Sequence, residues 1–137
     1  MNFDNYLLIL VIGLSHSGKT TYCKNNIKSH FLYDDFIPSF YEGKIVNDLI
    51  NKKKIVLNDP RICNFNTFQL FMDIFEKYVS KKEILLILFN NEKENCISNI
   101  NLNNELNVKE NIIYNSKKYN IKKYDNYNNI ILSVYKI

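Results

Sequence analysis

The sequence predicts an α/β protein in three layers: a five-stranded, mostly parallel sheet with helices on both faces. Three observations predict it. Short apolar runs alternate with longer segments of helical periodicity along the whole chain. Two of those runs, "YLLILVI" at 6–12 and "EILLILF" at 83–89, lack the polar alternation of a half-exposed strand, which is the pattern of strands buried on both faces. No linker and no internal repeat divides the chain, so its βαβ units belong to one sheet with right-handed crossovers.

The elements follow in order. The first strand is 6–12, and a glycine-bounded loop opens a helix at 18–29. "HFLYDDF" at 30–36 reads as a short strand ending at Asp34-Asp35 and closed by Pro38. Residues 41–52 are helical, with Ile45, Leu49 and Ile50 on one face. "KKIVLND" at 53–59 is the third strand. The clearest helix is 65–80, where Phe65, Phe68, Met72, Phe75 and Val79 recur at i, i+3, i+4 spacing. The fourth strand is 83–89. A helix at 92–102 carries Cys96 and Asn99, another runs from about 108 to 119, and "NIILSVY" at 129–135 supplies the last strand. The asparagine-rich stretch 99–107 is the candidate for a mobile segment.

Bulk properties bound the function. With 137 residues the chain is one domain, long enough for a real core and too short for two. A 46% apolar fraction excludes global disorder. A formal charge of +4 is mildly basic, which permits a nucleic-acid substrate without arguing for one. Cys23, Cys63 and Cys96 are odd in number and widely spaced, which fits a reduced, intracellular and cytoplasmic protein with buried thiols. The apolar run at 6–12 is too short to span a bilayer, so no membrane is expected.

The chemistry starts at Gly13–Thr20, "GLSHSGKT", which holds two of the chain's three glycines. It matches GxxxxGK[ST], the phosphate-binding P-loop, at every fixed position. Successive backbone N–H groups curl around an anion, and glycine allows the dihedrals and the close approach. The following helix aims its positive N-terminus at the same point. Lys19 is expected on the β- and γ-phosphates of a nucleotide and the Thr20 hydroxyl on Mg²⁺. Gly13, Ser15, His16, Ser17, Gly18 and Thr21 complete the nucleotide cradle. The fold class is therefore refined to a P-loop NTPase fold. No NKxD run marks a guanine pocket, so ATP is favoured over GTP.

Other strand ends must say what is done with the nucleotide, because ligands in open α/β sheets lie beyond them. Asp34 and Asp35 end the second strand. A carboxylate there can act as a general base for an attacking hydroxyl, bind a sugar hydroxyl of the acceptor, or cap the next helix. Asp34 is preferred as the base, since Phe36 then alternates with it toward the core. Asp59 follows an apolar run, the pattern of a metal-holding carboxylate, or of a plain Asp-Pro turn. Arg61, the sole arginine, suits a bidentate phosphate or carboxylate contact, or a surface ion pair.

The segments "ILVIGLSHSGKTTY", "YDDF", "KKIVLNDPRICNFNTF" and "ILLILFNNEKENCISNI" together resemble stretches of small viral and phage P-loop kinases, relatives of polynucleotide kinases and nucleotide kinases. The likeness covers roughly residues 6 to 120, with the P-loop its one highly specific motif. It implies an ATP- and Mg²⁺-dependent phosphotransferase acting on a nucleoside, nucleotide or polynucleotide 5′-hydroxyl. By position it implies Lys19 and Thr20 at ATP and Mg²⁺, the acceptor base at Asp34 or Asp35, and Asp59 near the metal. Such kinases carry arginines in a lid, here placed around 99–112, and this stretch has none. Lys109 is its first cation and the candidate substitute, although an ammonium lacks the planar fork of an arginine. The alternatives are a catalytically weak or inactive ATP-binding module and an NTPase acting on a protein partner.

Overall fold

The structure, a computed structural model, describes residues 2–100 and 106–135. Five strands, β1 (Leu8–Ile12), β2 (Phe31–Asp34), β3 (Ile55–Asn58), β4 (Ile84–Phe89) and β5 (Asn128–Leu132), form one sheet in the order β2-β3-β1-β4-β5. Every pairing is parallel, so the sheet is wholly and not just mostly so. The three central strands are buried at every position, as their unbroken apolar runs require. The edge strands β2 and β5 are partly exposed and correspondingly more polar.

The helices are α1 (Lys19–Asn26), α2 (Ile37–Tyr41), α3 (Lys44–Ile50), α4 (Phe65–Phe75), α5 (Lys93–Ser98) and α6 (Leu106–Lys118). They lie on both faces, but unequally. Leu8, Leu10 and Ile12 point to a large core with side chains from α2 through α6. Ile9 and Val11 point the other way, to a smaller core closed by Cys23 of α1 and Ile27 just beyond it. Strand period two thus splits one apolar run between two cores. On the large face α4 contributes Phe68, Phe71, Met72 and Phe75, each buried and each stabilising by about 1.5–3 kcal/mol.

Three elements differ from the sequence reading in their bounds. The helix expected at 41–52 runs only from Lys44 to Ile50, and an unexpected short helix, α2, precedes it; Gly43, at φ +81°, separates the two. Pro38 sits in the first turn of α2, where a missing N–H costs nothing. The helix expected at 65–80 stops at Phe75. The last strand stops at Leu132, and residues 133–135 leave the sheet. Within the candidate lid, residues 101–105 lie outside the described residues. Among the described residues, no helix is long and apolar enough to cross a membrane.

Candidate nucleotide-binding cleft

The strand order changes direction at β1, with β3 and β2 to one side and β4 and β5 to the other. Carboxyl ends of strands around such a point are where α/β sheets bind ligands. A cleft of about 330 Å³ opens there, lined by Ser15, His16, Gly18, Lys19, Thr20, Thr21, Asp34, Asp35, Asn58 and Pro60.

The loop from Gly13 to Thr20 has the dihedrals that a nest of N–H groups needs. His16 has φ +63° and Gly18 has φ +102°, both left-handed. Ser17 N–H turns back to the Leu14 carbonyl at 3.2 Å. Gly13 is required for space: a Cβ there would come within 2.9 Å of both Phe89 Cβ and Ser17 Oγ. Gly18 is the N-cap of α1, so the helix starts at the cleft.

Lys19 is the most informative side chain. It is only 7% exposed, and its Nζ donates to the carbonyls of Gly13 at 2.9 Å and Leu14 at 2.8 Å. No ion pair to it exists among the described residues. Burial pushes its pKa down from the ordinary lysine value. Ser17 Oγ is also buried and finds no partner among the described residues. A buried ammonium without a counter-anion and an orphaned hydroxyl, both in a left-handed glycine loop, fit a polyphosphate.

Opposite the loop, Thr20 Oγ1 donates to Asp34 Oδ2 at 3.2 Å. Asn58 Nδ2 bridges the two, donating to Asp34 Oδ1 at 2.9 Å and to Thr20 Oγ1 at 3.2 Å. Register explains the meeting, because Asp34 and Asn58 are partners across β2 and β3. Asp35 follows at φ +49°, exposed on the cleft wall. Its pKa is raised by desolvation and by the carboxylates of Asp59 and Asp34.

Three of the residues singled out from sequence go elsewhere. Asp59 is 1% exposed and turned to Arg61, taking Nε at 2.9 Å on Oδ1, Nη2 at 2.8 Å on Oδ2 and the Arg61 N–H at 2.9 Å. It does not line the cleft, and the carboxylate beside Thr20 is Asp34. Arg61 forms the ion-pair alternative, within its own turn, with its side chain 57% exposed. Lys109 is exposed on α6 and is not among the cleft-lining residues. Asn58 was missed; its only sequence signal is its place at the end of an apolar run. Asn91 is structural, donating to the carbonyls of Ser116 and Tyr119.

The cysteines are unpaired and buried. Burial pushes the thiols of Cys23 and Cys63 up to about 12 and that of Cys96 to about 11, so none is a nucleophile at neutral pH. Among the described residues, no group of three or more His, Cys, Asp or Glu can hold a metal ion. A magnesium ion would rest on fewer protein ligands, with Thr20 and Asp34 the oxygen donors at hand and phosphate supplying others.

No family model matches the chain, and no solved structure matches it. Among curated proteins, the chain is similar to "Uncharacterized protein R277" of Acanthamoeba polyphaga mimivirus, at 40% identity over 134 residues. The match covers 94% of this chain and 97% of that protein. Identity at that level over nearly the full length of both chains reflects common descent, and the chain belongs to the family of this viral protein R277.

Proposed function

We propose that the chain is an ATP- and Mg²⁺-dependent phosphotransferase, a small P-loop kinase whose acceptor is a nucleoside, nucleotide or polynucleotide 5′-hydroxyl. The observation that carries this reading is Lys19: an ammonium buried in a left-handed glycine loop, held by two carbonyls and with no carboxylate among the described residues within ion-pair range. Two carbonyls offset part of the cost of that burial, no counter-anion among the described residues offsets the rest, and an arriving polyphosphate does.

Each residue then has a definable task. Backbone N–H groups of the loop and the start of α1 hold phosphate oxygens, and Lys19 spreads over the terminal phosphates. Thr20 and Asp34 hold the metal side, and Asn58 keeps both in place through its two donated hydrogen bonds. Asp35 receives the proton of the acceptor hydroxyl. Its raised pKa gives it more basicity than an ordinary aspartate, and its place on the cleft wall is open to an incoming substrate. ATP with its ion supplies the electrophilic phosphorus and the leaving diphosphate.

One observation favours a second reading. No guanidinium lines the cleft, since Arg61 is paired with Asp59 and Lys109 stands apart on α6. Losing an arginine at a phosphoryl-transfer site can cost about 10³–10⁵ in rate, which favours a nucleotide-binding module with little catalysis. Incubation with γ-labelled ATP, Mg²⁺ and a panel of nucleosides, monophosphates and 5′-hydroxyl oligonucleotides separates the two. Label on an acceptor supports the kinase. ATP binding without turnover supports the module, and free labelled phosphate an NTPase. Lys19→Ala is expected to abolish the signal; an unaffected variant overturns the phosphate reading itself.

A further inference from the structure

A nest of inward-pointing N–H groups leaves its carbonyls pointing outward, and those need partners of their own. In this loop the partners come from two distant parts of the chain. The His16 carbonyl accepts from Asn99 Nδ2 at 3.0 Å. The Ser17 carbonyl accepts from the Tyr135 N–H at 3.2 Å. The same Asn99 amide donates to the Tyr135 carbonyl. One side chain, 8% exposed, therefore ties the loop to the segment that has left the sheet after β5.

The brace is itself anchored at both ends. Asn99 closes α5, its N–H bonded to the carbonyls of Asn95 and Cys96. The Val134 N–H donates to Glu92 Oε2 at 3.0 Å, in the connection between β4 and α5. Tyr135 packs directly on the loop, since a Cβ at Gly18 would lie 3.1 Å from Tyr135 Cβ. The bonds fall where the loop is most strained. His16 is a non-glycine residue at φ +63°, a strained conformation that persists only when its surroundings hold it.

We propose that Asn99 is a positioning residue which, with the Ser133–Tyr135 segment, holds the outer side of the loop so that its N–H groups stay aimed at polyphosphate. This rests on the reading of the loop as a phosphate cradle. Asn99 does not line the cleft and touches no ligand in this role.

The test uses the full chain, Mg²⁺ and inorganic tripolyphosphate, with calorimetric affinity, thermal midpoint and amide exchange read together. Asn99→Leu keeps the volume and removes both donors. Tyr135→Pro removes the N–H that reaches the Ser17 carbonyl. Each is expected to weaken tripolyphosphate binding about tenfold and to speed exchange at 16–18, while exchange in β1 and β4 stays unchanged. The pair is expected to be less than additive, as for two parts of one brace. If ATP turnover is measurable, KM for ATP rises with kcat little changed. Wild-type affinity and exchange in either folded variant overturn the brace. If Asn99→Leu fails to fold, Tyr135→Pro decides alone. If the wild-type chain itself ignores tripolyphosphate, the cradle reading falls, and the brace with it.

Discussion

Lys19 and His30 show how differently this fold treats two buried nitrogens. His30 is 8% exposed, with Nδ1 at 2.7 Å from Ser29 Oγ and Nε2 at 2.6 Å from the Tyr6 carbonyl. A neutral ring satisfies both contacts: Nε2–H donates to the carbonyl and Nδ1 accepts from the serine hydroxyl. Burial accordingly lowers the His30 pKa below the ordinary value of 6.5. Lys19 is as deeply buried, but carbonyls solvate its ammonium and the loop leaves room for an anion. For His30 the consequence is a stability change with pH. An unfolded histidine binds a proton near pH 6.5, whereas the folded one resists it. Stability is therefore full above about pH 6.5 and falls as pH drops toward the lowered folded value. Urea denaturation at pH 7.5 and 5.5 is expected to show a smaller unfolding free energy at the lower pH. His30→Gln is expected to flatten that difference, and an equal fall in the variant would assign the effect to other groups.

Elements explain which parts of the site are legible in sequence. The loop is legible because its constraints are local: two glycines at fixed spacing, Lys-Thr, a buried strand before and a helix after. The meeting of β2 and β3 is not, because it depends on register. "LND" at 57–59 contains both an asparagine and an aspartate, and a one-residue shift exchanges which of them faces the cleft. The pairing of Asp34 with Asn58 sends Asn58 to Thr20 and leaves Asp59 to cap its own turn with Arg61. The break between α2 and α3 at Gly43 is legible in principle, since glycine is the common terminator of a helix. Tyr135 and Asn99 carry no local signal, because their partners are far away in sequence: the Tyr135 N–H reaches Ser17, and the Asn99 amide reaches His16, 83 positions back. The same register makes a testable site. Asn58→Asp places a second carboxylate on Asp34, so without metal the two like charges meet at hydrogen-bond distance. The thermal midpoint is expected to fall by several degrees in EDTA, since each 1 kcal/mol is worth about 2–8 °C. Added Mn²⁺ or Mg²⁺ is expected to restore it. A variant indifferent to divalent ions would remove Thr20 and Asp34 as the metal side.

At the scale of the whole molecule, the C-terminal third fastens the carboxyl ends of strands built much earlier in the chain. Tyr119 OH, just past α6, donates to the carbonyls of Ile12 and Phe89, the last residues of β1 and β4. Tyr124 OH donates to the carbonyls of Ile62 at 2.7 Å and Cys63 at 3.0 Å, in the turn that follows Asp59. Both rings lie in the large core, and burial pushes both phenols well above the ordinary value, so they remain donors at any physiological pH. Tyr124→Phe keeps the ring and its edge contacts with Phe65 and Phe68 but leaves two buried carbonyls without that donor. Such a loss costs about 1–3 kcal/mol, more than the roughly 1 kcal/mol of an average hydrogen bond, because the acceptors stay buried. Chemical denaturation should register that loss with the m-value unchanged. Tripolyphosphate affinity of the folded variant should hardly move, since Tyr124 supports the turn after β3 and not the glycine loop. A variant that kept its stability would show that water replaces the phenol, and the C-terminal third would then be a cover for the core and not a fastening for the strand ends.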